Sequence, residues 1–373
     1  MLFINSERKS MKDNYYDYID IAKGIVIILV VMMHSCGFGI FKSYLPSASM
    51  ALFFVIAGFL QAASNDRKGR EKANTFSLIK KRSIRLLQPY CFYSIVFFMI
   101  YMGKDILSHT LSKKKVAVEV FGIIYARDSL YPLNSEKELR LLTIMNNTMW
   151  FLIAMITVSA FVMLLDSWYR KSKWSASRKN GLLLAGGGVG VLLTWAMTYL
   201  SILLPWSMDL VFVCGIFMGA GIVIYRTNFM EKLIKRIELI IINLIIYIVC
   251  CSFNHNTNLS MRQFGGNNNL LHIILYLVVG ITGSIVWLSF AYYLQGKKVS
   301  LIFRKTGRIT VLILCTHIMV IYVTDAVINR LHFNMSNMVI YWIVQLIRLA
   351  LVIGIYIGAG EILKRNKMTS KLL

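Results

Sequence analysis

Charge is scarce in this chain, and acidic charge scarcer still. Asp, Glu, Lys and Arg make up 16% of its 373 residues, with 17 acids against 41 Lys and Arg. Soluble domains carry about 25% charged and 45–50% apolar residues, whereas 57% here are apolar and the mean hydropathy is +0.63. That balance excludes a disordered chain and speaks against a soluble globular enzyme. Only four prolines occur, so little interrupts a long helix. The six cysteines, Cys36, Cys91, Cys214, Cys250, Cys251 and Cys315, sit in or beside apolar runs without metal-ligand spacing. Free buried thiols are the expectation, with no disulfide framework, no metal and no permanently bound cofactor.

What is present is long apolar runs. A membrane-crossing helix needs about 20 mostly apolar residues. Ten runs meet that need, at roughly 19–41, 44–63, 86–103, 149–166, 181–200, 207–225, 237–253, 270–294, 309–325 and 339–360. Their continuity favours helices over the shorter alternating strands of an outer-membrane barrel. Lys and Arg concentrate in cytoplasmic loops. Residues 1–18, 64–85, 167–180, 226–236, 295–308 and 361–373 together hold 29 of the 41, while the alternate connections hold ten. The expectation is an all-α, polytopic integral membrane protein of about ten transmembrane helices, with both termini cytoplasmic. It comprises a cytoplasmic N-terminal segment 1–18, a transmembrane domain 19–360 and a cytoplasmic tail 361–373. The net charge of +24 then reports orientation in the lipid bilayer. A nucleic-acid partner would need a basic soluble face, and none is evident. The first run carries Lys23 and His34 and lacks a small-residue cleavage site, so it reads as a retained span. Within the outer segment 104–148, Val116 to Ala126 is apolar enough for an interfacial or re-entrant helix.

Ionisable residues inside spans are costly, and functional use is the default expectation. Four stand out: Lys23, His34, His317 and Arg348. Lys23 and His34 are eleven residues apart, three full turns, so they share a helix face about 16 Å apart along the axis. Asp20 precedes Lys23 by one turn, within ion-pair reach. Arg82 and Arg85 share a face where the third span begins, and Arg suits bidentate phosphate recognition. Thr310 and His317, seven apart, share a face of the ninth span. Trp150 opens the fourth span at a membrane interface, where Trp ordinarily forms an aromatic belt. Arg348 is given an acidic partner, Asp325 or Glu361.

Taken in order, these segments resemble the acyltransferase 3 family of bacterial membrane acyltransferases, in a branch similar to the fucose 4-O-acetylase-like proteins. The family opens with an acid, Arg-Gly and a His after ten intervening residues; here stand Asp20, Lys23-Gly24 and His34. An aromatic run ending in Ser-Gly-aromatic is matched by Phe53 to Phe59, with Ala57 in place of Ser. Basic residues followed by Pro-Tyr are matched by Lys81, Arg82, Arg85, Pro89 and Tyr90, and a Trp-Phe-Leu segment by Trp150-Phe151-Leu152. The late Gly-Lys-Asn-Ser segment leading to His is matched by Gly307, Arg308, Ile309 and Thr310 leading to His317, with Ile and Thr as departures.

The resemblance implies transfer of an acyl group, usually acetyl from acetyl-CoA, to a hydroxyl of a cell-envelope sugar or polysaccharide, in a multi-pass protein of the bacterial inner membrane. Acyl-CoA and a glycan or lipid-linked sugar are the implied partners, and a homo-oligomer is left open. The CoA phosphates are expected near Arg82, Arg85 and Lys23, with the pantetheine arm running outward to His34. His34 is expected to act as general base or as acyl carrier. His317 is a candidate second acid/base or positioning group. Asp20, Trp150 and Thr310 complete the expected substrate-binding set. The competing reading is a membrane transporter of a small molecule or glycan precursor, which would use the same spans and intramembrane charges.

Overall fold

The computed structural model describes residues 2–35, 44–45, 47–67, 74–127, 148–200, 203–254, 257, 264, 269–333 and 336–365, with the backbone alone for 2–16 and 199. Cys36, the end of the first predicted span, the whole of 128–147 and all of 258–268 but residue 264 lie outside the described residues, as does the tail beyond 365. Every regular element among the described residues is helical. Among the described residues thirteen α-helices run in order: α1 (Leu2–His34), α2 (Ser49–Arg67), α3 (Thr75–Leu107), α4 (Lys113–Tyr125), α5 (Trp150–Lys171), α6 (Ala176–Tyr199), α7 (Val211–Arg226), α8 (Phe229–Leu233), α9 (Ile237–Phe253), α10 (Leu270–Tyr293), α11 (Ser300–Gly307), α12 (Thr310–Asn329) and α13 (Met338–Leu363). A 3₁₀ turn, Pro205–Leu210, leads into α7.

Helices satisfy every backbone polar group internally, which hydrocarbon requires. Seven are long and apolar enough to cross a membrane: α3, α5, α6, the 3₁₀ turn with α7, α10, α12 and α13. Each falls on a predicted run. The apolar helix Ile237–Phe253 is shorter, and the first two predicted runs fall on α1 and α2. The chain is therefore an all-helical, multi-pass membrane protein.

Polar side chains mark the helix starts. Asn74, Ser112, Ser175 and Asn337 each accept a hydrogen bond from a backbone N–H of the first turn of α3, α4, α6 and α13, satisfying donors that the helix itself leaves open. The interfacial or re-entrant segment expected near Val116 is helical, as α4, and ends at Ala126 in the left-handed region, φ 58°.

Two compact units emerge. The first contains Met1–Phe53, Met230–Ile248 and Thr282–Leu373; the second contains Phe54–Phe229 and Val249–Ile281. In the first, α1 packs along α11 and α12, and α12 packs along α13. In the second, α5 is the central helix, lying against α3 and α7. Its most apolar stretch is 72% buried, against 11% for α6, so α6 presents most of its surface outward.

Candidate active site

In the first unit, two glycines set the crossing of α1 and α11. A Cβ on Gly24 would overlap the Phe303 carbonyl and crowd the Thr306 hydroxyl, and one on Gly307 would overlap the Asp20 carbonyl and lie 3.0 Å from the Gly24 nitrogen. Backbones this close admit only glycine at these two points. Gly24 follows Lys23, and Gly307 opens the late segment that ends at His317. The two sequence segments of the resemblance are thus one packed contact.

Charged side chains close the same end of the unit. Lys23 Nζ donates to Asp20 Oδ1 at 2.9 Å. Arg308 lies 3.4 Å from the other carboxylate oxygen of Asp20, and Arg304 lies 3.0 Å from Asp17. Lys23 is therefore committed to Asp20, and Asp20 is shared with Arg308. Thr310 donates to the Gly307 carbonyl at 2.6 Å, closing the first turn of α12 rather than presenting its hydroxyl outward.

From this crossing, α1 and α12 carry their imidazoles to one place. His34 is the last residue of α1 and is exposed. His317 lies two turns into α12 and is fully buried. Their ring centroids are 4.9 Å apart, with planes inclined at 55°. The His317 Nδ1–H points at the carbonyls of Ile313 and Leu314, at 2.9 and 3.0 Å. Carbonyls only accept, so Nδ1 holds a proton and the ring orientation is fixed. Nε2 is buried and has no hydrogen-bond partner among the described residues. In the neutral imidazole it is a free acceptor.

Farther along the α12–α13 seam, Arg348 finds Asp325, the first of the two acids the sequence offers. Its Nε lies 2.9 Å from Asp325 Oδ1, and its Nη1 donates to Gln345 Oε1 at 3.2 Å. Counting residues from His317 puts this pair about 12 Å further along α12.

The second unit holds the remaining residues singled out from sequence. Arg82 donates to Gln61 Oε1 on α2 at 3.3 Å, and Arg85 is exposed. Tyr90 of the Pro-Tyr pair donates to the Ile123 carbonyl at 2.6 Å, tying α3 to α4. Trp150 is buried and packs edge-on against Phe151, which meets Phe54 in the same way. It is a packing residue at the start of α5, not a member of an exposed belt. Gly58 and Gly221 make a second close crossing, between α2 and α7: a Cβ on either would overlap a backbone carbonyl of the other helix.

One ionic group escaped the sequence reading. Arg127 and Asp209 are both fully buried, and Arg127 Nη2 reaches both carboxylate oxygens, at 2.6 and 2.5 Å. Around them, Tyr125 donates to the Leu203 carbonyl at 2.7 Å and the Trp206 indole to that of Ile124 at 2.9 Å. These bonds hold the 3₁₀ turn, in which Trp206 and Ser207 adopt left-handed φ of 56° and 55°. An acid at the mouth of the sixth predicted span was the signal that could have found this pair.

No group of three or more metal-ligating side chains occurs among the described residues, and none of the described cysteines is in a disulfide. Among known proteins, a family model described as an acyltransferase domain matches residues 16–359. No curated protein and no solved structure matches the chain. The matched stretch includes both histidines, both close glycine crossings and Arg82 with Arg85: the chain belongs to the acyltransferase 3 family of membrane acyltransferases.

Proposed function

We propose that this protein is a membrane O-acyltransferase that moves an acetyl group from acetyl-CoA to a hydroxyl of a cell-envelope sugar or polysaccharide. We place it in the fucose 4-O-acetylase-like branch, in the bacterial inner membrane, with ten spans and both termini cytoplasmic. The observation that carries the reading is the contact of His34 with His317 in a chain of this family. Family membership favours group transfer over the transport alternative.

His34, exposed at the end of α1, is the residue that meets the acceptor. It takes the hydroxyl proton as the hydroxyl oxygen bonds to the thioester carbonyl carbon. The C–S bond then breaks, the electron pair leaves on sulfur, and the proton returns to the CoA thiolate. General base assistance of this kind contributes about 10²–10⁴-fold. His317 is a positioning residue. Its ring is fixed through Nδ1 and supports His34 from the buried side. Arg82 and Arg85 are the proposed phosphate contacts, because their planar guanidinium groups match phosphate oxygens. Lys23, paired with Asp20, acts in anchoring the inner end of α1.

Rapid quenching of the purified protein with acetyl-labelled acetyl-CoA, without acceptor, tests the role of His34. The base reading predicts no label on the protein. Label that is absent from His34→Ala would instead make His34 an acyl carrier.

A further inference from the structure

The second unit has a cavity that the proposed chemistry leaves unused. It measures 570 Å³ and lies where the start of α3 meets the end of α5, within the usual range for small-molecule sites. Its walls include Phe76, Trp168 and Trp174, with Lys171, Thr75 and Ser167 among the polar groups. Thr75 donates to the Ser167 hydroxyl at 2.9 Å, which fixes the two helix ends against each other. Trp168 and Trp174 stand edge to face, 5.9 Å between centroids, and Arg178 lies over the Trp174 ring at 5.4 Å. The neighbouring acid, Asp166, is held by Arg226 at 2.7 Å and Arg170 at 3.2 Å. The cavity therefore joins the exposed Phe76 and partly exposed Trp174 side chains to Lys171 and Arg178 at its rim, while Asp166 beside Ser167 is already paired with arginines.

Resting on the acetyl-CoA reading, we infer that this cavity receives the nucleotide end of the donor, with adenine on the Trp174–Trp168 aromatics and the ribose phosphate at Lys171. Three observations favour that occupant. Flat aromatic rings stack on a base irrespective of its hydrogen-bonding edge, and cationic side chains complement a phosphate. All of its lining but Leu164 comes from segments 64–85 and 167–180, two of the Lys/Arg-rich stretches that the positive-inside pattern assigns to the cytoplasm, where acyl-CoA is found. Finally, Thr75 and Arg82 are seven residues apart on α3, on one helix face about 10 Å along the axis. A nucleotide seated by Thr75 would extend its pyrophosphate along that face towards the proposed phosphate contact at Arg82.

The test is direct binding to the full-length protein in nanodiscs, using acetyl-CoA and adenosine 3′,5′-bisphosphate as separate probes. The inference predicts that wild type binds both. Trp174→Ala should weaken both about tenfold, the scale of one lost base-stacking side chain. Trp174→Phe, which keeps a ring, should bind nearly as wild type does. Lys171→Ala should weaken the bisphosphate more than it weakens adenosine 5′-monophosphate. Wild-type affinities in Trp174→Ala overturn the cavity assignment while leaving acetyl-CoA as donor. A cavity that responds only to the phosphatidylglycerol content of the nanodisc, and not to the bisphosphate, is a lipid headgroup site and also overturns it. Wild type that binds neither probe refutes the acetyl-CoA reading and the cavity assignment together.

Discussion

Gly24 and Gly307 meet across the α1–α11 crossing with no room for a Cβ on either. This contact sets the depth at which α1 and α12 deliver His34 and His317. Sequence positions almost 300 residues apart are thereby locked into one fixed spacing.

Gly24→Ala and Gly307→Ala should each force the crossing apart. Overpacking of this kind costs about 1–3 kcal/mol, with backbone as the obstructing group in both cases. Thermal unfolding in detergent should show the loss. Acetyl transfer should fall further than stability does, because the His34–His317 contact lies beyond the crossing. Gly186→Ala, at a position with open space around it, should leave both quantities unchanged.

His317→Ala should separate positioning from binding. Its buried ring touches His34, and a small misplacement of a reacting group can cost about 10²-fold. The turnover number should drop on that scale, while half-saturation by acetyl-CoA stays near wild type. His317→Asn keeps a donor for the Ile313 and Leu314 carbonyls and should recover part of the rate. Equal loss in turnover and in acetyl-CoA affinity would make His317 a donor-binding residue instead.

The buried Arg127–Asp209 pair should be a strong local determinant of stability. Both side chains are fully buried, and removing one partner of such a pair costs about 3–5 kcal/mol. Arg127→Ala should lower the unfolding midpoint markedly, and limited proteolysis should open the connection around the 3₁₀ turn first. An unchanged midpoint would show that water reaches Asp209 once Arg127 is gone.

Arg348 and Asp325 invite the opposite comparison. Asp325→Ala strands the Arg348 guanidinium in the seam between α12 and α13 and should destabilise the protein. Replacing both, as Asp325→Leu with Arg348→Met, removes the ion pair without stranding a charge. Buried pairs replaced in this way are often neutral or stabilising. Stability should therefore return to within about 1 kcal/mol of wild type. A double variant as unstable as the single one would show that the pair contributes beyond charge balance.

Much of this architecture is legible in the chain because membranes demand it. Seven of the apolar runs appear as helices long enough to cross a bilayer between Thr75 and Leu363, with ends displaced by about five residues or fewer except at Thr75, which opens its helix eleven residues before the predicted run. The Asp20–Lys23 pair follows from helical spacing. The His34–His317 contact does not, since no local period relates residues on helices so far apart in sequence. The roles of Gly24, Gly307 and Tyr90 were equally hidden: each depends on a backbone of another helix. Burial of Trp150 likewise depends on packing around α5, which its place at a span end does not reveal.

The proposed role of His34 is acyl transfer. It is tested most directly by following CoA thiol release from acetyl-CoA by the purified protein, with a crude envelope-glycan extract present or absent. Wild type should release thiol only when the extract is present, and a well-folded His34→Ala variant that still binds acetyl-CoA should lose that release. Extract-dependent release by His34→Ala at the wild-type rate would contradict it.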